Sequence, residues 1–289
     1  MYGDISPSDR LALAPPLAGV HGVARIGYVK AEGVSRLSLL DQRSPLRVLF
    51  PHPAAGDPPV AALVTTSGGL VGGDRLEVEV SVGENAALMA IGQAAEKVYR
   101  SLGSDCVVDI SLDVADGGWL EWLPQETILF EGARLRRNTA LAVSGAGRAL
   151  AGEMLVFGRV ARGETVTYGL IRDAWTVRRG GRLAWADALH MDGEDIPYGL
   201  DAAAGFAGAR AYATAIYVGP DAERHLGLAR DAAAMDGVRS GATLCGSILV
   251  ARWLGEDPGA VRRAFGEFWM RLRAAAGQLP PRLPRLWHV

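Results

Sequence analysis

The segment Leu76-Glu-Val-Glu-Val-Ser-Val82 alternates apolar and polar side chains without a break. Cys106 to Val114 repeats the pattern, with Cys106, Val108, Ile110, Leu112 and Val114 on one face and Asp109, Ser111 and Asp113 on the other. A period of two belongs to a strand with one buried and one wet face, and no helix can satisfy it. Thr165 to Leu170 carries the same alternation. Trp175 to Arg179 and Arg182 to Leu189 flank Gly180-Gly181, a pair able to supply the positive φ angles of a two-residue hairpin turn. Short, mostly apolar runs at Arg47 to Phe50, Leu88 to Ile91, Ala140 to Val143, Met154 to Val160, Ala213 to Val218 and Thr243 to Ala251 add further strands. Glycine supplies 37 of 289 residues and is spread along the whole chain, as frequent tight turns require. The chain is predicted to be mainly β.

Helical spacing emerges only late. Asp257 stands as an N-cap, Pro258 at the first helical position, and Val261, Phe265, Phe268, Trp269 and Leu272 form one apolar stripe before Gly277. A second, Ala-rich helix is expected from about Asp221 to Met235, with Gly237 beyond its end. The tail Leu279-Pro-Pro-Arg-Leu-Pro-Arg-Leu-Trp287 is too rich in proline for a helix and is expected to dock as an extended strip. Prolines 51, 53, 58 and 59 mark a long loop. No linker, low-complexity block or fixed-period repeat divides the sequence, so residues 1–289 are read as a single domain with two helices in its last third.

Charge and cysteine usage exclude several classes. Thirty Lys and Arg against 32 Asp and Glu give a net charge of −2, which offers no concentrated basic surface for nucleic acid. The longest uncharged runs are broken by paired prolines or repeated glycines, so no membrane span is expected. Met1 to Arg10 lacks the basic start and apolar core of a signal peptide, and a cytoplasmic address is expected. Cys106 and Cys245 make no disulfide framework or C-x-x-C pair. The five histidines, His21, His52, His190, His225 and His288, stand alone, with no neighbour at metal-ligand spacing.

Gly68-Gly-Leu-Val-Gly-Gly-Asp74 is the most distinctive local feature. It is no phosphate cradle, because Asp74 stands where a P-loop carries lysine and a strand follows in place of a helix. Two readings of Asp74 stay open: a carboxylate satisfying backbone donors of a glycine turn, or one that is buried or faces a channel. Further carboxylates lie among apolar neighbours, including Glu121, Glu126, Glu131, Glu153 and Asp187. Glu126 and Glu131 could serve as the carboxylate pair of a carbohydrate-active β protein, at a separation that sequence does not give. Nucleophile-elbow, zinc-protease and kinase motifs are all missing.

Five motifs occur in order: Gly68 to Asp74; Gln93-Ala-Ala-Glu-Lys-Val-Tyr-Arg-Ser101; Leu123-Pro-Gln-Glu-Thr-Ile-Leu-Phe-Glu-Gly-Ala133; Gly158-Arg-Val-Ala-Arg-Gly-Glu164; and Arg178-Arg-Gly-Gly-Arg-Leu-Ala-Trp-Ala-Asp187. Together they resemble the urease accessory protein family UreD, also called UreH, over most of the chain. Ile91-Gly92 and Glu96 depart from that pattern, standing where threonines are common in the family.

The resemblance implies a stacked, helical β arrangement carrying two helices, and a non-catalytic scaffold in place of an enzyme. It implies binding to apo-urease and to the helical accessory protein UreF, which recruits the GTPase UreG, in a heterocomplex with two copies. It also implies transient passage of nickel through the interior, with Asp74, Glu153 and Asp187 as the acidic residues matched to that passage. Alternatives are an adaptor that clamps apo-urease without carrying nickel, and the carbohydrate-active protein above. The α-helix ending at Gly277 and the Pro-Arg-Leu tail are the segments expected to face UreF. A chain with few thiols and scattered imidazoles suits transit, since carboxylates and water hold nickel loosely.

Overall fold

The computed structural model describes residues 19–288, so the decapeptide read above for its missing signal-peptide pattern lies outside the described residues. Among the described residues, strands alternate between two stacked sheets. They begin with β1 (His21–Ala31), β2 (Val34–Arg43), β3 (Leu46–Leu49), β4 (Val60–Thr65), β5 (Arg75–Val82) and β6 (Ala87–Gly92). Next come β7 (Glu96–Val98), β8 (Cys106–Val114), β9 (Trp119–Leu123), β10 (Thr127–Leu129), β11 (Arg134–Val143) and β12 (Arg148–Phe157). The series closes with β13 (Leu170–Arg179), β14 (Arg182–Asp192), β15 (Ala211–Val218), β16 (Arg239–Cys245) and β17 (Ile248–Gly255).

The first sheet has the order β14-β13-β11-β8-β5-β1-β2, and the second β16-β17-β15-β12-β9-β6-β4-β3, with β10 joined to β12 and β7. Between β4 and β13 the chain winds from sheet to sheet. It lays β5, β8, β11 and β13 parallel in the first and β4, β6, β9 and β12 parallel in the second. This is the stacked, helical β arrangement expected. Antiparallel partners finish it, β2 beside β1 and β14 beside β13, while β15, β17 and β16 extend the second sheet. Successive coils begin at Arg75, Cys106, Arg134 and Leu170, at unequal intervals, which is why no repeat period is visible in the sequence.

Parallel, in-register pairing stacks equivalent inward residues into rungs: Val80, Leu112, Leu141 and Val177 form one such row, and all four are buried. The second sheet is covered on both faces, by the first sheet on one side and by helices on the other. Its strands therefore read as apolar runs, as in Leu88 to Ile91, whereas the first sheet alternates. The outer face of the first sheet carries exposed ion pairs such as Arg25–Glu79 and Arg75–Asp109, which keep it wet.

The helices are α1 (Asp195–Asp201), α2 (Leu226–Ala233) and α3 (Pro258–Gly277). In α3 the Asp257 carboxylate accepts from the Gly259 N–H at 2.8 Å, and the expected stripe of five apolar residues is buried. Gln278, not a glycine, takes the left-handed position that ends it. Gly277 is required for a different reason, because a Cβ there would lie 2.6 Å from the Trp119 ring. The second expected helix is shorter than read, since its first residues, Ala222–His225, form a 3-10 turn. The short α1 was not foreseen. Its Pro197 lies in the first turn, where a missing N–H costs nothing.

Three strand readings are corrected. Thr165 to Leu170 is not a strand: Thr167 N–H donates to the Glu131 carboxylate at 2.7 Å and not to a ladder, and pairing starts at Leu170. Thr243 to Ala251 is a hairpin, turned at Gly246 with φ +60°, and not one strand. The strand at Met154 stops at Phe157, where Gly158 takes φ +83°. Among the described residues no helix is long and apolar enough to cross a membrane.

Candidate functional site

One rung breaks the apolar rule. Leu76, Val108, Arg137 and Asp173 occupy equivalent inward positions on β5, β8, β11 and β13. Parallel register sets the last two side by side, and the pair is buried. Arg137 grips Asp173 with two hydrogen bonds, Nε to Oδ1 at 3.0 Å and Nη2 to Oδ2 at 2.8 Å, and its Nη1 donates to Thr127 Oγ1 at 3.0 Å. Opposite, on β12 of the second sheet, stands Glu153. Its Oε1 accepts from Thr139 Oγ1 at 2.9 Å, and its Oε2 is ion-paired with Arg137 Nη2. Burial, above all, pushes the Glu153 carboxyl up to about 7, with Arg137 opposing the shift and Asp173 adding to it. Burial works against charge on Arg137 as well, but Asp173 and Glu153 outweigh it and hold the guanidinium protonated.

Arg137 and Glu153 face a cavity of about 280 Å³ between the sheets. It is lined by residues of three of the sequence motifs, among them Gly69, Gln93, Pro124 and Gln125, with exposed Gly68 and Lys97 at its mouth. Glu96 lies just inside, accepting from Thr65 Oγ1 and the Lys97 N–H, and burial raises its carboxyl above the ordinary range. Glu96 on β7 and Thr127 on β10 are register partners, which links the mouth to the Arg137 cluster. Trp122 lines the same cavity, and its indole N–H is buried without a protein partner.

On the far side of the cluster the polar character continues. Thr214 on β15 is the register partner of Glu153 and of Arg252 on β17, and its hydroxyl donates to the Tyr212 hydroxyl at 2.8 Å. Asp187, inward-facing on β14, reaches across to Arg252 Nη2 at 2.7 Å. Asp187, Arg252 and Tyr212 line a second, open cavity of about 480 Å³. A polar seam therefore crosses the molecule between two apolar sheets, from Glu96 through Glu153 and Asp173 to Asp187. It holds four carboxylates and two guanidiniums, those of Arg137 and Arg252.

Of the three acidic residues matched from sequence, the structure places Glu153 at the centre of the seam and Asp187 at its far end. Asp74 stands apart and does not line either cavity. It is buried as a turn cap, accepting from the Val71 and Val20 N–H groups at 2.9 Å each, and it fixes the glycine loop at the first mouth. Glu126 is ion-paired with Arg262, and Glu131 is held by Thr167, so both proposed glycosidase carboxylates are committed elsewhere. Arg137, Asp173 and Arg252 were missed. A signal existed, because Leu135, Arg137, Thr139 and Leu141 share one strand face, as do Ile171, Asp173, Trp175 and Val177. A charge in each apolar row marks the rung.

Among the described residues no group of three or more His, Cys, Asp or Glu side chains could hold a metal ion. Burial pushes the Cys106 thiol up to about 12, which removes it as a thiolate donor. Carboxylates in ones and twos, each already engaged, do not fit a resident ion.

The model of the family described as UreD urease accessory protein matches residues 20–288. Proteins named urease accessory protein UreD match most of the chain. The one from Magnetococcus marinus is 45% identical over 279 residues, covering 95% of this chain and 96% of its own. That of Rhodopseudomonas palustris strain HaA2 is 40% identical over 266 residues, 92% of each chain. That of Azorhizobium caulinodans is 39% identical over 281 residues, 96% of this chain and 99% of its own.

Proposed function

Because the chain belongs to the UreD family of urease accessory proteins, which are not themselves catalysts, we propose that it matures urease as a scaffold whose polar seam carries nickel toward the apo-enzyme's active site. The observation that carries this reading is the seam itself: carboxylates spread between two cavities where a two-sheet core would otherwise be apolar. Buried polar groups are costly, and these, unlike the closed Glu121–Arg273 cluster, reach cavities at Glu96, Glu153 and Asp187. Nickel is cargo here. Glu96 receives the hydrated ion behind the mouth, Glu153 gives it a stop at mid-depth, and Asp187 lies at the exit or entry on the other side. Each offers one carboxylate, so the ion keeps most of its water and can leave.

UreF docks on the face of α3 and the tail, where Met235, Gly266, Met270, Leu283 and Trp287 line a groove, and it brings UreG. The assembly works in the cytoplasm with two copies of this chain. The test is urease produced with its structural subunits and the other accessory proteins, with this chain as wild type, as Asp187→Ala, or omitted. Omission should leave urease without nickel, and Asp187→Ala should lower its nickel content while still co-purifying with urease. Full metallation by Asp187→Ala would favour the pure adaptor, and full metallation without the chain would remove the maturation role.

A further inference from the structure

Arg137 poses a problem for any cation in the seam, because a guanidinium at mid-depth repels a dication. Its anchoring resolves the contradiction. Asp173 does not line the central cavity, whereas Arg137 and Glu153 do. The guanidinium is thus fixed from behind through both oxygens of Asp173 and held at the cavity wall by Thr127, and it touches Glu153 by a single Nη2 contact. Remove the guanidinium, and Glu153 and Asp173 become two buried carboxylates across a gap that one cation already spans. Such a pair in a low-dielectric site is a chelate, and a chelate traps.

We infer that Arg137 is a resident counter-cation that keeps the Glu153–Asp173 pair from becoming a metal-binding site, so that an ion meets one carboxylate there and moves on. The inference rests on the nickel-conducting reading of the seam, and it assigns Arg137 a positioning role: it stays on Asp173 and Thr127 while its one contact with Glu153 opens. Loss of the cation leaves Glu153 and Asp173 with no positive charge between them, and a divalent ion is the natural replacement, displacing the proton that Glu153 otherwise takes up.

The experiment is equilibrium dialysis of the full-length chain against Ni²⁺, with nickel counted per chain for the wild type, Arg137→Gln, Arg137→Lys and Arg137→Gln/Glu153→Gln. Arg137→Gln should retain about one nickel per chain and bind it at least ~10-fold more tightly than wild type, as expected when a second carboxylate joins the ligand set. Arg137→Lys keeps a cation and should show no such increase, and the double variant should lose it. If Arg137→Gln does not fold in metal-free buffer, Ni²⁺ should restore the fold at concentrations that leave the wild-type melting temperature unchanged. Equal nickel retention by wild type and Arg137→Gln, or no rescue by Ni²⁺, overturns the inference. So does a wild-type chain that itself holds a full equivalent. Those results leave urease metallation by the Asp187→Ala chain untouched as the separate test of the seam.

Discussion

Glu121 and Glu153 are both carboxylates taken out of water, yet they are treated differently. Glu121 is fully satisfied by Trp269 Nε1 at 2.8 Å, by Arg273 Nε and Nη2 at 2.9 and 3.0 Å, and more weakly by Trp119 Nε1. Glu153 shares its only cation with Asp173 and faces a cavity. The consequence is a titration at a physiological pH. The folded-state carboxyl is raised from 4.5 to about 7, so between those values the folded chain holds a proton that the unfolded chain releases. Stability linked to this group is complete below about pH 4.5 and is lost as pH rises through 7. Glu153→Gln cannot ionise and escapes the loss. Urea melts of the two proteins should therefore diverge in favour of Glu153→Gln as pH rises through that window, and parallel profiles would show that Glu153 titrates normally.

At the scale of elements, α3, β9 and the tail are latched together by one guanidinium. Arg273 is completely buried on α3. Besides Glu121 on β9, it reaches Asp57 in the long loop and the carbonyl oxygens of Pro280 and Arg282 in the tail. Arg262, about three turns earlier on the same face, pairs with Glu126, donates to the Trp287 carbonyl and lies over the Trp287 ring at 4.2 Å. Glu121→Ala strands a buried charge and should lower stability by about 3–5 kcal/mol in denaturant melts. A loss under 1 kcal/mol would mean that Asp57 alone suffices for Arg273. Much of α3 was legible in the sequence, since its cap, its Pro258 and its stripe are local signals. The tail was legible as a docked strip, although Arg285–His288 closes in a 3-10 turn. Strands β11 and β13 were only half legible, because Arg134-Leu-Arg-Arg and Arg172-Asp interrupt the apolar runs that mark strands by composition. Those interruptions are the site.

At the scale of the whole molecule, the seam exists only because the coils stack in register. Arg137 meets Asp173 through parallel pairing of β11 with β13, and Glu153 reaches them only across the gap between sheets. Neither relation is written locally in the chain, so sequence placed Glu153 and Asp187 as candidates through resemblance without joining them. It left Asp74 with two readings, of which the backbone cap accounts for all its hydrogen bonds. On the proposed reading the apolar walls matter as much as the charges, because they leave a hydrated ion few polar stops. The central claim is that nickel goes through the seam, and it is tested most directly by filling the seam while leaving every charge in place. Val108, partly exposed on the cavity wall, is the position for Val108→Trp. Urease co-purified with that variant at wild-type yield should contain at least ~10-fold less nickel per active site. Wild-type nickel content in urease matured by the plugged chain would contradict the claim.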